Sequence, residues 1–476
     1  EYDKTWRLSK VTDACGAVTE YQYDAMGRKT KEILPNGAVN SYQYDANGNL
    51  IERVDGEGAV YQISYDSLNR SNKVTDPCGR KAFAEYDALS NVTKVIHPDK
   101  TEDNYTYDAV GQCISAFEKN GIENRYDYNA IGKIYKVSSN DYLMKQLEYY
   151  PGGLLRCEKN IDGTSSHYQY DKNNNLIQVT NQNGAKTEFQ YDGLNQLTRV
   201  LIEGKVIESY EYDAIGNIVR KTDGEGNTYT YEYSPNGNIA SVTDAAGYRT
   251  EYGYDRLNQL ISIKQGEDGT RTYQYIRDAV GNVTKIIYPD GTEQSYKYDL
   301  CNRLVSHIDA DKNCMEVEYY ADGQEKEIRF SDGRKISMKY DAHKELSVIQ
   351  DSTGKTCINR DERGFPKNVI YPTGEMIQYE YGDMGEEREV IYPNGVKAEY
   401  AYDEAMRLLE FSQGNNKVTY SYYENGQLKN KEFPGGYQTS YQYDSIGRIV
   451  KQENCHNAEV LEMLQYGYDS QGRKNK

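Results

Sequence analysis

Short stretches of this chain alternate strictly between aromatic or aliphatic and polar residues, then stop at a glycine or asparagine and start again. In Thr19-Glu20-Tyr21-Gln22-Tyr23 the two tyrosines fall on one side and the glutamine on the other, the pattern of a half-buried β-strand. The Asp-x-x-Gly that follows predicts a tight turn: the aspartate side chain bonds the backbone two residues on, and glycine supplies the left-handed conformation that closes it. Asn69, Asn174, Asn195, Asn258 and Asn302 stand where other copies have Gly27, Gly48, Gly111, Gly132, Gly216, Gly237 and Gly447. Asparagine is the other residue that tolerates a positive φ, so the exchange points to the same geometry. A second strand comes next, as in Asn49-Leu50-Ile51-Glu52-Arg53-Val54 or Gln196-Leu197-Thr198-Arg199-Val200. A second turn closes the unit, with Pro-Asn-Gly at 35–37 and 393–395, Asp-Gly at 162–163, Asn-Gly at 183–184 and Pro-Asp-Gly at 289–291.

This unit repeats. Its second tyrosine recurs every 21 residues from Tyr2 through Tyr23, Tyr44, Tyr65 and onward to Tyr275. An insertion read at Ile276-Arg277 shifts the register to Tyr298, Tyr319 and Tyr340; Arg360 then takes the tyrosine slot before Asp361, and the pattern resumes at Tyr381, Tyr402, Tyr422, Tyr443 and Tyr468. Residues 1–476 are therefore read as one array of about 22 repeats with no internal domain boundary, beginning and ending inside a repeat as a fragment of a longer protein would. Tight turns force antiparallel neighbours, so the expected fold is all-β: a continuous antiparallel hairpin array of about 44 strands, about 210 Å along its hydrogen-bonding direction. Strand twist accumulates, so such a ribbon is expected to coil into a spiral shell or superhelical wall. The insertion, Arg360 and the longer stretch at 454–463 are candidate seams where register changes or a partner docks.

Composition sharpens this picture. The chain has 49 tyrosines against 7 phenylalanines, 8 methionines and one tryptophan. Phenols keep a hydroxyl that needs a partner, so they suit a thin, partly wet sheet better than a dry core. Tyrosines at i and i+2 are expected to stack with those of successive repeats into aromatic ladders. With 74 acidic against 56 basic residues, interleaved, the chain lacks the basic stripe that phosphate binding requires, which argues against nucleic acid. No apolar run of about 18 residues exists to span a membrane. Cys15, Cys78, Cys113, Cys157, Cys301, Cys314, Cys357 and Cys455 lie mostly in different slots and are expected to be free thiols.

Catalytic chemistry finds no constellation. Gly354-Lys355-Thr356 echoes the end of a phosphate loop but occupies a turn slot. Asp309 to Asn313 starts like a calcium loop, yet Cys314 replaces the required glycine. His97, His167, His307, His343 and His456 are scattered without partners at metal or triad spacing. Asn91-Val92-Thr93, Asn104-Tyr105-Thr106 and Asn282-Val283-Thr284 match glycan acceptors. No enzyme, metal or cofactor is expected.

The residues with a fixed pattern are the motif itself: Tyr21, Tyr23, Asp24, Gly27 and Arg28; Tyr42, Tyr44, Asp45 and Gly48; Tyr210, Tyr212, Asp213 and Gly216; Tyr441, Tyr443, Asp444, Gly447 and Arg448. On these residues the chain resembles the YD-repeat, or Rhs-repeat, family, over essentially its whole length. The resemblance implies a β-walled shell. In bacterial Rhs polymorphic toxins and insecticidal toxin complexes such a shell encloses a cytotoxic C-terminal domain, and teneurins carry a related barrel outside animal cells. The expected function is thus a non-enzymatic container of a bacterial toxin, secreted or at the cell surface, with a C-terminal effector of the same polypeptide as its partner and secretion-system or toxin-complex components as further partners. The family's self-cleaving closing segment and variable toxin are not matched, so cargo and autoproteolysis would belong to residues outside this chain. The competing expectation is an extracellular adhesion or carbohydrate-binding module whose tyrosines stack on sugars.

Overall fold

The computed structural model describes residues 1–117, 122–266 and 270–475. It contains one open antiparallel sheet of 44 strands and, among the described residues, no α-helix. The first four strands show how the sheet is made: β1 (Lys10–Thr12), β2 (Val18–Tyr23), β3 (Lys29–Ile33) and β4 (Val39–Tyr44). Each pairs antiparallel with the next.

Both turns of the repeat share one geometry. After β2, Asp24 N–H donates to Arg28 O at 3.0 Å and Gly27 N–H to Asp24 O at 3.1 Å. After β3, Leu34 N–H donates to Ala38 O and Gly37 N–H to Leu34 O, each at 2.8 Å. The closing residue is left-handed in both, with φ of 83° at Gly27 and 87° at Gly37. The asparagines that replace glycine do the same: φ is 60° at Asn69, Asn258 and Asn302, 63° at Asn195 and 69° at Asn174.

A bulge sits beside the first turn of the repeat. Gln22 pairs with Lys31, but Tyr23 pairs with Lys29, so one extra residue faces the second tyrosine. The same shift recurs at Tyr44, Tyr212 and Tyr443.

The register slip is placed differently from the sequence reading. Ser262 pairs with Gln274, an offset of 12, where Ser241 pairs with Glu251, an offset of 10. The innermost pairs, Gln265 with Arg271 and Thr243 with Arg249, have the same offset. The two extra residues therefore lengthen the hairpin by one residue on each strand, Leu260–Gln265 and Arg271–Arg277 against Ile239–Thr243 and Arg249–Tyr254, and do not lie at Ile276-Arg277. Arg277 instead fills the tyrosine slot, facing Val283 across the bulge. The stretch 454–463 lies in a long hairpin, Ile449–His456 with Glu459–Gln465, whose register does shift there: Asn454 pairs with Glu462 but Cys455 with Val460, and the turn residues Asn457 and Ala458 both have positive φ.

The sheet has little interior. Among the described residues the buried apolar ones are small or few, Ala17, Ala38, Ala59, Ala185 and Ala398 with Leu201, Val390 and Cys157, and the largest side chain almost wholly removed from solvent is Ser241. The strands group into two compact units, residues 1–105 with 229–355, and 106–228 with 356–476. Each unit thus joins two chain segments distant in sequence.

Candidate functional site

The tyrosine-aspartate motif is a device for ending and coupling hairpins. At the end of β3 nearest the motif, the ladder to β4 stops at Lys31 and Ser41, so Lys29 O lacks a backbone donor from β4. The Tyr44 hydroxyl supplies one, at 2.8 Å. Tyr23 does the same to Leu8 O at 2.7 Å, Tyr212 to Leu197 O at 2.6 Å and Tyr443 to Leu428 O at 2.9 Å. A phenol is the side chain long and rigid enough to span the gap and still donate, which explains why phenylalanine so seldom takes the slot. Arg277 takes it with another donor: its Nε reaches Leu260 O at 3.1 Å and its Nη1 reaches Gly281 O at 2.8 Å. At Arg360, Nη1 donates to Gly364 O at 3.0 Å.

The aspartate organises the turn, and the residue after glycine reaches the next repeat. Asp24 Oδ1 accepts from the N–H groups of Met26 and Arg28, and its Oδ2 accepts from Arg28 Nε. Arg28 Nη1 then donates to Asp45 O at 2.9 Å while the guanidinium lies 4.9 Å from the Tyr44 ring centroid. Asparagine offers a shorter version: Asn49 Nδ2 bonds Asp45 Oδ2 at 2.9 Å and Asn69 Oδ1 at 2.8 Å. These N–H groups hold the carboxyls below the usual range, through the Arg28 N–H at Asp24, the Asn49 amide at Asp45 and the Asn217 N–H at Asp213. Asp444 bonds Ile446 N–H, Arg448 N–H and Arg448 Nε in the same way. Gly48, Gly216 and Gly447 close their turns with φ of 92°, 94° and 92°.

The first tyrosine of each pair plays another part. Lys29 Nζ lies 5.6 Å from the Tyr21 centroid and 4.7 Å from that of Tyr42, whose hydroxyl donates to Glu32 at 2.9 Å. Tyr210 donates to Glu208, with Lys221 Nζ 5.8 Å from its centroid, and Lys431 Nζ lies 5.9 Å from that of Tyr441. The expected aromatic ladders are therefore corrected. Among the described residues, no ring contact joins equivalent tyrosines of successive repeats; at Tyr21 and Tyr42 a cation, Lys29, stands between them. The reason is spacing, since one repeat is two strands, so equivalent rings lie about 10 Å apart with the intervening strand between. Direct ring contacts occur instead where tyrosine replaces the aspartate, at Tyr150 with Tyr170, Tyr320 with Tyr340 and Tyr423 with Tyr443, all edge to face.

A second feature was not legible beforehand: a seam in each unit between the second turns of one segment and the motif turns of the other. In the first unit, Cys15 N–H donates to Asn236 Oδ1 at 3.1 Å, Asn236 Nδ2 to Asp13 Oδ2 at 2.8 Å, and Ala279 N–H to Glu57 Oε1 at 2.7 Å. Ala17, Ala38 and Ala59 are buried in these second turns, and a Cβ on Gly56 would stand 2.7 Å from Ala38 Cβ. In the other unit, Asn425 Nδ2 donates to Asn183 Oδ1 at 2.7 Å and Ser470 N–H to Glu225 Oε1 at 2.9 Å. The partners are 221, 222 and 242 residues apart for Cys15–Asn236, Glu57–Ala279 and Asn183–Asn425. These are close to half-integer multiples of 21, because the two kinds of turn lie at opposite ends of the strands.

Cys78 and Cys301 lie on the first seam, 223 residues apart, and form a disulfide. This overturns the expectation of eight free thiols; the other six cysteines are free. The pairing escaped the sequence because 223 is not a multiple of the repeat. The third residue of the motif turn is aliphatic in many copies and divides by position. It is exposed at Met26 (73%), Leu68, Leu89, Val110, Ile131, Leu194 and Ile215 (83%), whereas Leu257, Val280 and Ile446 are half-buried.

The remaining candidates are structural. Asp309 binds Asn313 through both oxygens, an ordinary turn. Gly354-Lys355-Thr356 opens the strand Gly354–Arg360. His307 stacks on Tyr296 and His456 on Tyr437. The amides of Asn91 and Asn282 already donate to Asp87 and Asp278, and Asn104 sits within the strand Glu102–Tyr107.

The profile of the Teneurin YD-shell family matches residues 1–151 and 277–476, well over half of the chain. The chain belongs to the teneurin YD-shell family. The RHS Repeat profile matches this YD-shell chain at residues 170–204, 212–249 and 233–271. Comparison with curated proteins gave no match. Among solved structures, the YD-shell chain is similar to one described as the crystal structure of TcdB2-TccC3-Cdc42, with 13% identity and a TM-score of 0.50 over 100% of this chain and 33% of that one. It is also similar to TcdB2-TccC3, at 13% identity and a TM-score of 0.47, covering 100% and 34%. A Tc holotoxin pore of Photorhabdus luminescens matches at 13% identity and a TM-score of 0.46, covering 97% and 30%. The chain spans about a third of the length of these structures. At such identities the likeness is one of fold. No helix among the described residues is long and apolar enough to cross a membrane.

Proposed function

We propose that this YD-shell chain is a stretch of container wall, without enzymatic activity of its own, that encloses a C-terminal effector of the same polypeptide in a bacterial Rhs-type toxin acting outside the producing cell. The observation that carries the reading is the sheet itself: 44 strands with almost no dry interior among the described residues, motif turns such as those at Arg28 and Asn49 being tied to the next by side chains. Such a structure separates two volumes and uses its phenols to seal its own strand ends. The likeness in fold to the TcdB2-TccC3-Cdc42 structure, together with the YD-shell family match, supports an effector or toxin-complex component as partner. The test is to express the parent protein with and without residues 1–476 and measure toxicity of the effector to its producer together with effector solubility. Containment predicts that removal raises toxicity and lowers solubility; no change in either ends the reading. A glycan array on this chain examines the adhesion alternative, and useful affinity there would favour it over containment.

We further propose that residues 1–476 are one array continuing in a longer shell, whose next layer of hairpins covers the exposed row at Met26, Leu68 and Leu89. The same slot is half-buried at Leu257 and Val280, where it lies on the seam. The isolated chain is then expected to self-associate through this row. Replacing Met26, Leu68 and Leu89 together by aspartate should shift it to monomer in sedimentation velocity, and equal sedimentation of both proteins would refute the proposal.

A further inference from the structure

The first unit holds one covalent link between its two segments, and its surroundings are built for exchange. Cys78 is the third residue of the second turn Asp76 to Gly79, and Cys301 is the third residue of the motif turn Asp299 to Asn302. Their Cα atoms are 6.2 Å apart and both residues are half-buried, within reach of a small molecule. Two charge pairs flank the sulfurs. Asp76 is bonded to Arg80 Nε at 2.5 Å, and Asp299 to Arg303 Nη2 at 2.7 Å. Arg303 Nη2 is also 3.4 Å from Cys78 Sγ, and Arg303 Nη1 is buried without a hydrogen-bond partner among the described residues. Asp299 Oδ2 lies farther from the same sulfur, at 4.0 Å, and is itself paired with Arg303, so the nearest charge to Cys78 Sγ is a guanidinium with donor capacity to spare, the arrangement that stabilises a thiolate as it leaves. Elsewhere this seam is held by hydrogen bonds, alanines and glycine, as at Asp13 and Cys15 with Asn236 and Glu57 with Ala279. The disulfide is its strongest connection.

We propose that Cys78 and Cys301 form a thiol-exchange site, a clasp that closes the seam covalently in oxidising surroundings and opens on reaction with a small-molecule thiol. The thiolate of the reactant attacks Cys301 Sγ, the bond to Cys78 Sγ breaks, and Cys78 leaves as a thiolate beside Arg303. A second molecule of thiol attacks the mixed disulfide, freeing Cys301 and producing the small disulfide. Two thiols are consumed, and two cysteine thiols and one oxidised dimer are formed, so electrons and protons balance. The reverse reaction with a small disulfide recloses the seam. The exchange site stands on this geometry alone; only the release of an enclosed effector on opening rests on the shell reading.

The sulfurs and the Asp76 carboxylate also lie within 4.8 Å of one another, so the reduced pair offers three ligand atoms to a thiophilic cation. Asp76 and Asp299 are already paired with Arg80 and Arg303, so a bound cation would have to displace those pairs, and exchange is the chemistry that the site favours.

The experiment uses the whole chain purified under air. Alkylation of the protein unfolded without reductant, followed by non-reducing peptide mapping, should label the six other cysteines and recover Cys78 joined to Cys301. Millimolar glutathione should then cleave the link while the far-ultraviolet circular dichroism of the sheet persists, and susceptibility to limited proteolysis at the 76–80 and 299–303 turns should rise. Arg303→Gln should slow cleavage about tenfold, with Arg303→Lys restoring part of the rate. In Cys78→Ser and Cys301→Ser, proteolysis should already be fast and indifferent to glutathione. The proposal is overturned if both cysteines alkylate in the native protein or if the link resists glutathione until the sheet unfolds. It is equally overturned if Arg303→Gln leaves the rate unchanged, or if stoichiometric zinc found with the pair blocks reoxidation. A clasp that opens as described while effector toxicity stays unchanged would refute containment and leave the exchange site standing.

Discussion

Titrated into alkali, the folded chain is expected to keep most of its motif tyrosines protonated past pH 10 and then lose its sheet cooperatively. Burial pushes up the phenols of Tyr65, Tyr149, Tyr212, Tyr254, Tyr298 and Tyr443, and it drives Tyr381, near the Glu387 carboxylate, to about 12. Each of these hydroxyls also donates to a backbone carbonyl at a strand end, at distances of 2.6 to 3.1 Å. A phenolate cannot donate, and it would face the carbonyl oxygen with like charge. The sign follows from the raised folded values: the stabilisation is fully present below the unfolded tyrosine value of about 10 and is lost as pH rises through the higher folded values. Because the same contact recurs along the array, the losses accumulate over one window. Tyrosinate absorbance and sheet circular dichroism should change together, well above the transition of the chain in urea. Tyrosinate forming near pH 10 with the sheet intact would contradict the role given to the hydroxyls.

Asp403→Ala is the single substitution in a motif turn expected to cost most among those that leave the backbone geometry open. Asp403 Oδ1 accepts from Ala405 N–H and Arg407 N–H, each at 2.9 Å, and Oδ2 accepts from Arg407 Nε at 2.7 Å. Burial works against its charge, yet the Arg407 N–H and guanidinium still hold the carboxyl below its usual range. Alanine leaves two backbone donors without acceptors and frees the guanidinium that lies 5.0 Å from the Tyr422 centroid. The expected loss is about 2–3 kcal/mol. Asp403→Asn keeps one acceptor oxygen and should lose less. Tyr422→Phe removes one hydroxyl bond, to Leu408 O at 2.8 Å, and should cost about 1 kcal/mol. Urea unfolding gives the order, and hydrogen exchange at Ala405 and Arg407 tells whether the damage stays local, as nearest-neighbour coupling in an array predicts. Equal losses for alanine and asparagine would remove the side-chain acceptor from the explanation.

The candidate site was legible where its chemistry is local. Asp24 to Arg28 closes a turn from five consecutive residues, and the exchange of Gly48 for Asn69 betrays a positive φ without any knowledge of neighbours. The use of the second tyrosine was not. Alternation places Tyr21 and Tyr23 on one face, but only the bulge and the early end of the β3–β4 ladder show that Tyr44 reaches Lys29 O. The arginine or asparagine after the glycine could have been suspected as a coupler, since Arg28, Asn49 and Arg70 hold one slot; its partner in the next repeat is 17 or 20 residues away and invisible to a local reading.

By itself, then, the sequence determined the repeat, the two strands, both turns and an all-β array, because each depends on φ, hydrogen-bond donors and alternation within 21 residues. Tertiary structure alone decided which turns meet. The seams join second turns to motif turns at separations near 222 and 242 residues, and they bring Cys78 to Cys301, leave Met26 and Leu68 open and cover Val280. That choice is the sum of many small strand twists over some twenty strands. No single repeat encodes it, and a small change in each would bring different turns together.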